Sequence, residues 1–266
     1  MNIETTKKVG WFGLNPKRGR RKDDRLTFDV SHTVQKAVSS RCVGPLRPRQ
    51  PRTAGSTPGQ IVAEGNESLV YLAVKRSFDL LGAVVLLVLT APITLTTLLV
   101  LAVTTKGRPI FVQERVGLCG RRFRMFKFRS MSFDAAAKQH LVANEKDGPI
   151  FKNRRDPRIT RIGAFLRSTS IDELPQLINV LLGHMSLVGP RPPVPGEVAK
   201  YQPWQLRRLA VKPGLTCLWQ VSGRCEIGFD DWVRMDIWYL NNQNLATDLT
   251  LLAKTPMSVL SRRGAY

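Results

Sequence analysis

Asp172 and Glu173 are the residues whose types and spacing most directly suggest chemistry. They open the stretch DELPQLINVLLGHMSLVGPRP, residues 172 to 192, in a chain of 41 Lys+Arg, 20 Asp+Glu and formal net charge +21. Three roles are open to such a pair. Ser170-x-x-Glu173 has the spacing of a capping box, with Asp172 near the positive end of a helix. The pair could also neutralise excess arginine. The third role is catalytic, as an anionic nucleophile and its neighbour. Pro175 bears on the choice. Proline is tolerated at the first helical position, and that placement leaves both acids on the loop just ahead, free to face a site.

The surroundings match phosphate chemistry. Residues 106 to 130 hold Lys106, Arg108, Arg115, Arg121, Arg122, Arg124, Lys127 and Arg129 against Glu114 alone, and KNRRDPRITRIGAFLRS adds Lys152, Arg154, Arg155, Arg158, Arg161 and Arg167 around Asp156. Guanidinium forks fit phosphate oxygens, so such density implies a grip on lipid headgroups and on a diphosphate. A carboxylate among them is expected to have a lowered pKa and to stay ionised. Asp172 and Glu173 together with a diphosphate also make a magnesium site, because that ion takes carboxylate, phosphate and water oxygens.

Other chemistries lack their parts. Cys42, Cys119, Cys217 and Cys225 show no C-x-x-C spacing, and His32, His140 and His184 are the only histidines. Neither a zinc site nor a disulfide framework is expected, and reduced cytosolic thiols are. No early apolar run marks a cleaved signal peptide.

The elements that must position these residues begin with a membrane segment. Leu80 to Val103 is 24 residues without a charge, about 36 Å as a helix and enough to cross a bilayer core. Pro92 falls near its middle, where a bend is expected. Lys75 and Arg76 precede it and Lys106 and Arg108 follow, so the positive-inside tendency puts both flanks on one side. A re-entrant hairpin satisfies that; a single span does not. The expected organisation is a basic, disordered tail over 1–68, a membrane-embedded helical hairpin over 69–105, and a cytosolic catalytic domain over 106–266. That domain reads as mixed α/β, mostly helical with short strands. RPIFVQERVG and RRFRMFKFRSM alternate as strands do. SIDELPQLINVLLGHM, VAKYQPWQLRRLAV and FDDWVRMDIWYLNNQ read as helices. Trp204, Trp219, Trp232 and Trp238 suit an interface or a core equally.

Four stretches, KRSFDLLGAVVLLVLTAP, FKFRSM, DPRITRIGAFLRSTSIDELPQLINVLLGHMSLVGPRP and KPGLTCLWQVSGR, resemble the bacterial sugar transferase family, the monotopic polyprenyl-phosphate phosphoglycosyl transferases. The resemblance covers about residues 70 to 266. It implies transfer of a sugar-1-phosphate from a UDP-sugar to undecaprenyl phosphate through an aspartyl intermediate, with release of UMP, initiating exopolysaccharide or another surface glycan. On this likeness Asp172 is the nucleophile, Glu173 its dyad partner, and Lys127, Arg167 and Arg191 hold phosphates; Arg129 and Arg158 of the basic runs are also expected to bind phosphate or substrate. Magnesium, held by Asp172 and Glu173, is the expected cofactor. The expected partners are the UDP-sugar, undecaprenyl phosphate and inner-membrane lipids, with a homodimer allowed and nucleic acid excluded. The expected location is the bacterial inner membrane, with the catalytic domain on its cytoplasmic face. One departure is Ala91, where some members carry Ser before the membrane proline; another is a basic tail in place of several transmembrane helices. Two other readings compete: a membrane-tethered binder of nucleic acid or other polyanions, and a non-catalytic subunit of a polysaccharide assembly complex. UMP release separates both from an enzyme.

Overall fold

A computed structural model of the chain describes residues 69–223 and 227–261. The tail expected over 1–68 therefore lies outside the described residues. Among the described residues the fold is mixed α/β and mostly helical, with two small two-stranded sheets.

The first element, α1 (Leu69–Thr104), is one helix of 36 residues that continues through Pro92. Val70–Thr104 is long and apolar enough to cross a membrane, and little of it is buried against the protein. What is buried lies toward its two ends. Near the start, Lys75, Asp79 and Ala83 are covered; near the end, Leu101 is covered. Ala83 joins a large apolar cluster with Leu177, Val180, Met185 and Leu187, whereas Leu101 joins a second one with Phe128 and Leu166. Leu174 packs against both clusters.

Both expected strands form. β1 (Ile110–Val116) pairs antiparallel with β2 (Arg122–Phe128), in a register that sets Ile110 opposite Phe128 and Val116 opposite Arg122. Alternation buries Phe123 and Met125 of β2 in the large cluster. After a long irregular segment comes α2 (Arg161–Ser168), whose Thr160 side chain accepts from the backbone N–H of Gly163 at 2.9 Å, satisfying a free donor of the first turn. α3 (Gln176–Leu181) spans only 6 residues of SIDELPQLINVLLGHM.

β3 (Ser186–Val188) and β4 (Gly214–Thr216) pair in parallel. Between them lies α4 (Pro195–Val198). The helix expected over VAKYQPWQLRRLAV does not form. Beyond α4 that stretch supplies a 3-10 turn, Gln205–Ala210, on the far side of Pro203, a residue that removes a helical donor and disfavours helix before it.

The chain then forms α5 (Leu218–Ser222), α6 (Phe229–Asn241) and α7 (Leu245–Leu260). α6 fulfils the expectation for FDDWVRMDIWYLNNQ and carries Asp230 and Asp231 in its first turn, where acids complement the helix dipole. Its Trp232 meets Trp219 of α5 with ring centroids 3.8 Å apart, inside a third apolar cluster. Core packing thus accounts for those two tryptophans.

Candidate active site

The dyad's position is a matter of local backbone. Ser170 adopts a left-handed conformation at φ 58 and makes no side-chain cap, so the capping box of SIDE does not form. Asp172 and Glu173 lie in a single 3-10 turn, Ile171–Glu173, and Pro175 occupies the N-cap position of α3. Proline cannot give an N–H and is least costly at a helix start. The acids precede the helix, as the proline implied.

One buried amide fixes this turn relative to β2. Asn179 of α3, 0% exposed, accepts from the Phe126 N–H at 3.0 Å and donates to the Arg124 carbonyl at 2.7 Å. A side-chain amide that satisfies an N–H and a C=O on the same edge of a strand holds its register as well as its distance. Lys127, the next residue on β2, then reaches Glu173: Nζ to Oε1 is 2.8 Å. From the other side, Arg167 in the last turn of α2 donates from Nε to Ser130 Oγ at 2.9 Å.

Lys127, Glu173, Arg167 and Ser130 face one cleft of about 490 Å³. Asp172, Glu173, Lys127, Arg129, Arg158, Arg167 and Arg191, far apart in sequence, all line it. Their engagements differ. Arg158 is spent on Asp156, with Nη2 to Oδ2 at 2.7 Å and Nε to Oδ1 at 2.9 Å, and also donates to the Ala135 carbonyl and Gln139. It braces the cleft wall. Arg129 donates to the Arg108 carbonyl and stacks 4.6 Å above the Phe133 ring. Arg191 lies between Pro190 and Pro192, its carbonyl held by Arg208 at 3.1 Å.

The electrostatics correct one expectation. The Asp172 carboxyl is pushed up to about 6, chiefly by burial, with Glu173 adding to the rise and Lys127, Arg167 and Arg191 opposing it. At 7% exposure the loss of hydration outweighs the cations. Glu173 moves the other way, down to about 2; burial opposes the fall, and Lys127 and Arg191 drive it. Adjacent acids in one site divide their proton affinities in this manner. Glu173 stays ionised beside its lysine, and Asp172 becomes a comparatively basic carboxylate.

Two residues missed by the sequence reading belong to the site. Asn179 sets its geometry. Arg115 lines the cleft; the sequence alone presents it as one cation among several in a basic run. For magnesium the donor set is Asp172 and Glu173. No group of three or more His, Cys, Asp or Glu residues is placed to hold a metal among the described residues. Two carboxylates fit this ion when phosphate oxygens and water complete its shell, its common arrangement at phosphate sites.

Comparison with known proteins agrees in kind. Residues 70–262 match the family model described as "Bacterial sugar transferase". "Galactosyl transferase CpsE" of Streptococcus agalactiae serotype III is 47% identical over 199 residues, 73% of this chain and 44% of that protein. "Undecaprenyl-phosphate galactose phosphotransferase" of Salmonella typhimurium is 45% identical over 202 residues, covering 72% and 41%. "Exopolysaccharide production protein ExoY" of Rhizobium meliloti is 38% identical over 198 residues, covering 72% and 88%. The chain thus spans less than half of the two galactosyl relatives and most of the third.

Proposed function

We propose a reaction from one premise: the chain belongs to the bacterial sugar transferase family. It transfers a sugar-1-phosphate from a UDP-sugar to undecaprenyl phosphate and so starts a surface polysaccharide. The observation that carries this reading is the convergence of Asp172, Glu173, Lys127, Arg167 and Arg191 on one cleft from four separate segments.

In the first half-reaction an Asp172 carboxylate oxygen attacks the β-phosphorus. The bond from that phosphorus to the bridging oxygen breaks, and UMP leaves with the electron pair. In the second, a phosphate oxygen of the lipid attacks the same phosphorus and Asp172 departs as carboxylate. Arg167 and Arg191 hold phosphate oxygens and offset the charge that builds on them. Glu173, kept ionised by Lys127 at 2.8 Å, orients the dyad. The two acids would hold magnesium, whose chemistry when bound is to neutralise the diphosphate. The raised pKa of Asp172 suits nucleophilic work, because a more basic carboxylate is a better nucleophile that is still mostly ionised at neutral pH.

The same reading places α1 in the inner membrane as a re-entrant hairpin bent at Pro92, with the catalytic body on the cytoplasmic face. A straight helix would separate Ala83 from Leu101 by about 27 Å. Yet both pack on clusters that share Leu174, which supports a bend.

The test is covalent. Native protein incubated with UDP-sugars alone should release UMP and carry a phosphosugar on Asp172, seen by mass spectrometry. Asp172→Asn should carry none, with turnover lower by orders of magnitude. A fully active Asn variant would end the assignment.

A further inference from the structure

Arg115 of β1 has a role left unassigned by this mechanism. Its side chain is only 6% exposed. Nη1 donates to the Pro192 carbonyl at 2.9 Å and Nη2 to Gln113 Oε1 at 2.7 Å, while Nε is buried with no partner. Both acceptors are uncharged, so the guanidinium forms no ion pair among the described residues. The other buried arginines differ: Arg158 pairs with Asp156 at 2.7 Å and Arg208 with Asp236 at 2.6 Å.

A buried cation without an anion is costly, and proteins normally pair it or let it lose its proton. Arginine does not lose its proton readily. The environment worsens the imbalance: burial and then Arg191 pull its pKa down to about 10, with Glu197 and Glu173 opposing. Arg115 and Arg191 line the same cleft as the dyad. Hydrogen bonds to a carbonyl and an amide could be made by neutral donors, so they do not account for the charge. An anion arriving in the cleft does.

We propose that Arg115 is a phosphate-binding residue of this cleft, its buried fork and the neighbouring Arg191 forming a cationic recess for phosphate oxygens. The proposal deepens the transferase reading and rests on its view of the cleft as a phosphate site. Two phosphates are available in that chemistry, the diphosphate of a nucleotide donor and the monophosphate of a lipid acceptor, and binding measurements separate them.

The full chain in detergent micelles is titrated with inorganic pyrophosphate in one arm and with undecaprenyl phosphate in the other. Arg115→Met removes the charge at similar length. It should weaken binding five-fold or more in at least one arm: the first assigns the donor phosphates, the second the acceptor. Without ligand its melting temperature should equal or exceed that of the native protein, because an unpaired buried charge has been removed. A loss below five-fold in both arms overturns the proposal. If that variant does not fold, Arg115→Lys is read instead. It keeps the charge without the planar fork, and should lose at least three-fold in one arm; a smaller loss in both overturns the proposal. Arg234→Met makes the same change in net charge at an exposed arginine paired with Asp231, and must leave both affinities unchanged. No sugar donor turns over in these titrations. Failure to release UMP from any UDP-sugar would therefore overturn the transferase reading alone.

Discussion

Burial gives Asp172 two measurable properties with opposite consequences. In the proposed nucleophilic role it must be ionised, so adduct formation at low substrate concentration should fall with a single proton as pH drops through about 6. A profile flat down to pH 4.5 would contradict the burial effect. For stability the sign reverses. An acid whose folded pKa is raised holds a proton in the native state between about 4 and about 6, while the unfolded chain releases it. The resulting destabilisation grows as pH rises through that window and is complete above it. Asp172→Asn should therefore be more stable than the native protein at pH 8, by on the order of 1–3 kcal/mol, and no more stable near pH 4. Melting curves at the two pH values decide this. Glu173 contrasts with it. Lys127→Met would strand its carboxylate, costing roughly 1–3 kcal/mol because the pair is only partly buried, and should lower activity together with stability.

At the level of elements, the cleft depends on close approach between α2 and the end of β2. A Cβ at Gly163 would come within 1.9 Å of the Ser130 carbonyl oxygen, a clash with backbone that no rotamer relieves. Gly163→Ala should cost more than about 2 kcal/mol in melting experiments and displace Arg167 from Ser130. The strands β1 and β2 were legible because alternation is a direct readout of one buried face, and α6 because its apolar residues repeat at helical spacing. The parallel pair β3–β4 was not, since three-residue strands carry too little pattern. α7 was also missed; it carries Pro256 inside and hides a charge, Asp248, on its buried face. In the site, the charged members were legible by type. Asn179 was not, because its importance comes from a strand it meets 53 and 55 residues away.

Across the whole molecule, α1 is tied to the catalytic body by polar groups as well as apolar ones. Lys75 reaches Asp248 of α7 at 2.6 Å, both nearly fully buried, and Tyr239 donates to the same carboxylate. Arg76 donates to the Val180 and Leu181 carbonyls at the end of α3, and Asp79 accepts from the Leu187 N–H and Ser186 hydroxyl. Removing one partner of a buried pair is worse than removing both. Lys75→Met should cost about 3–5 kcal/mol, measured as melting in micelles, and adding Asp248→Leu should recover at least half. The grip on α3 also means that the apolar helix and the dyad share a support, for α3 begins three residues after Glu173. That double attachment imposes a counting rule on the helix. Ala83 and Leu101 must face the body together, and each residue added between them turns one against the other by about 100°. One or two extra residues would swing Leu101 away from Phe128 and Leu166, whereas a heptad added near Pro92 restores the phase to within about 20°. Activity across an insertion series should rise and fall with helical period rather than decline with length, as in a screw whose thread admits only whole turns.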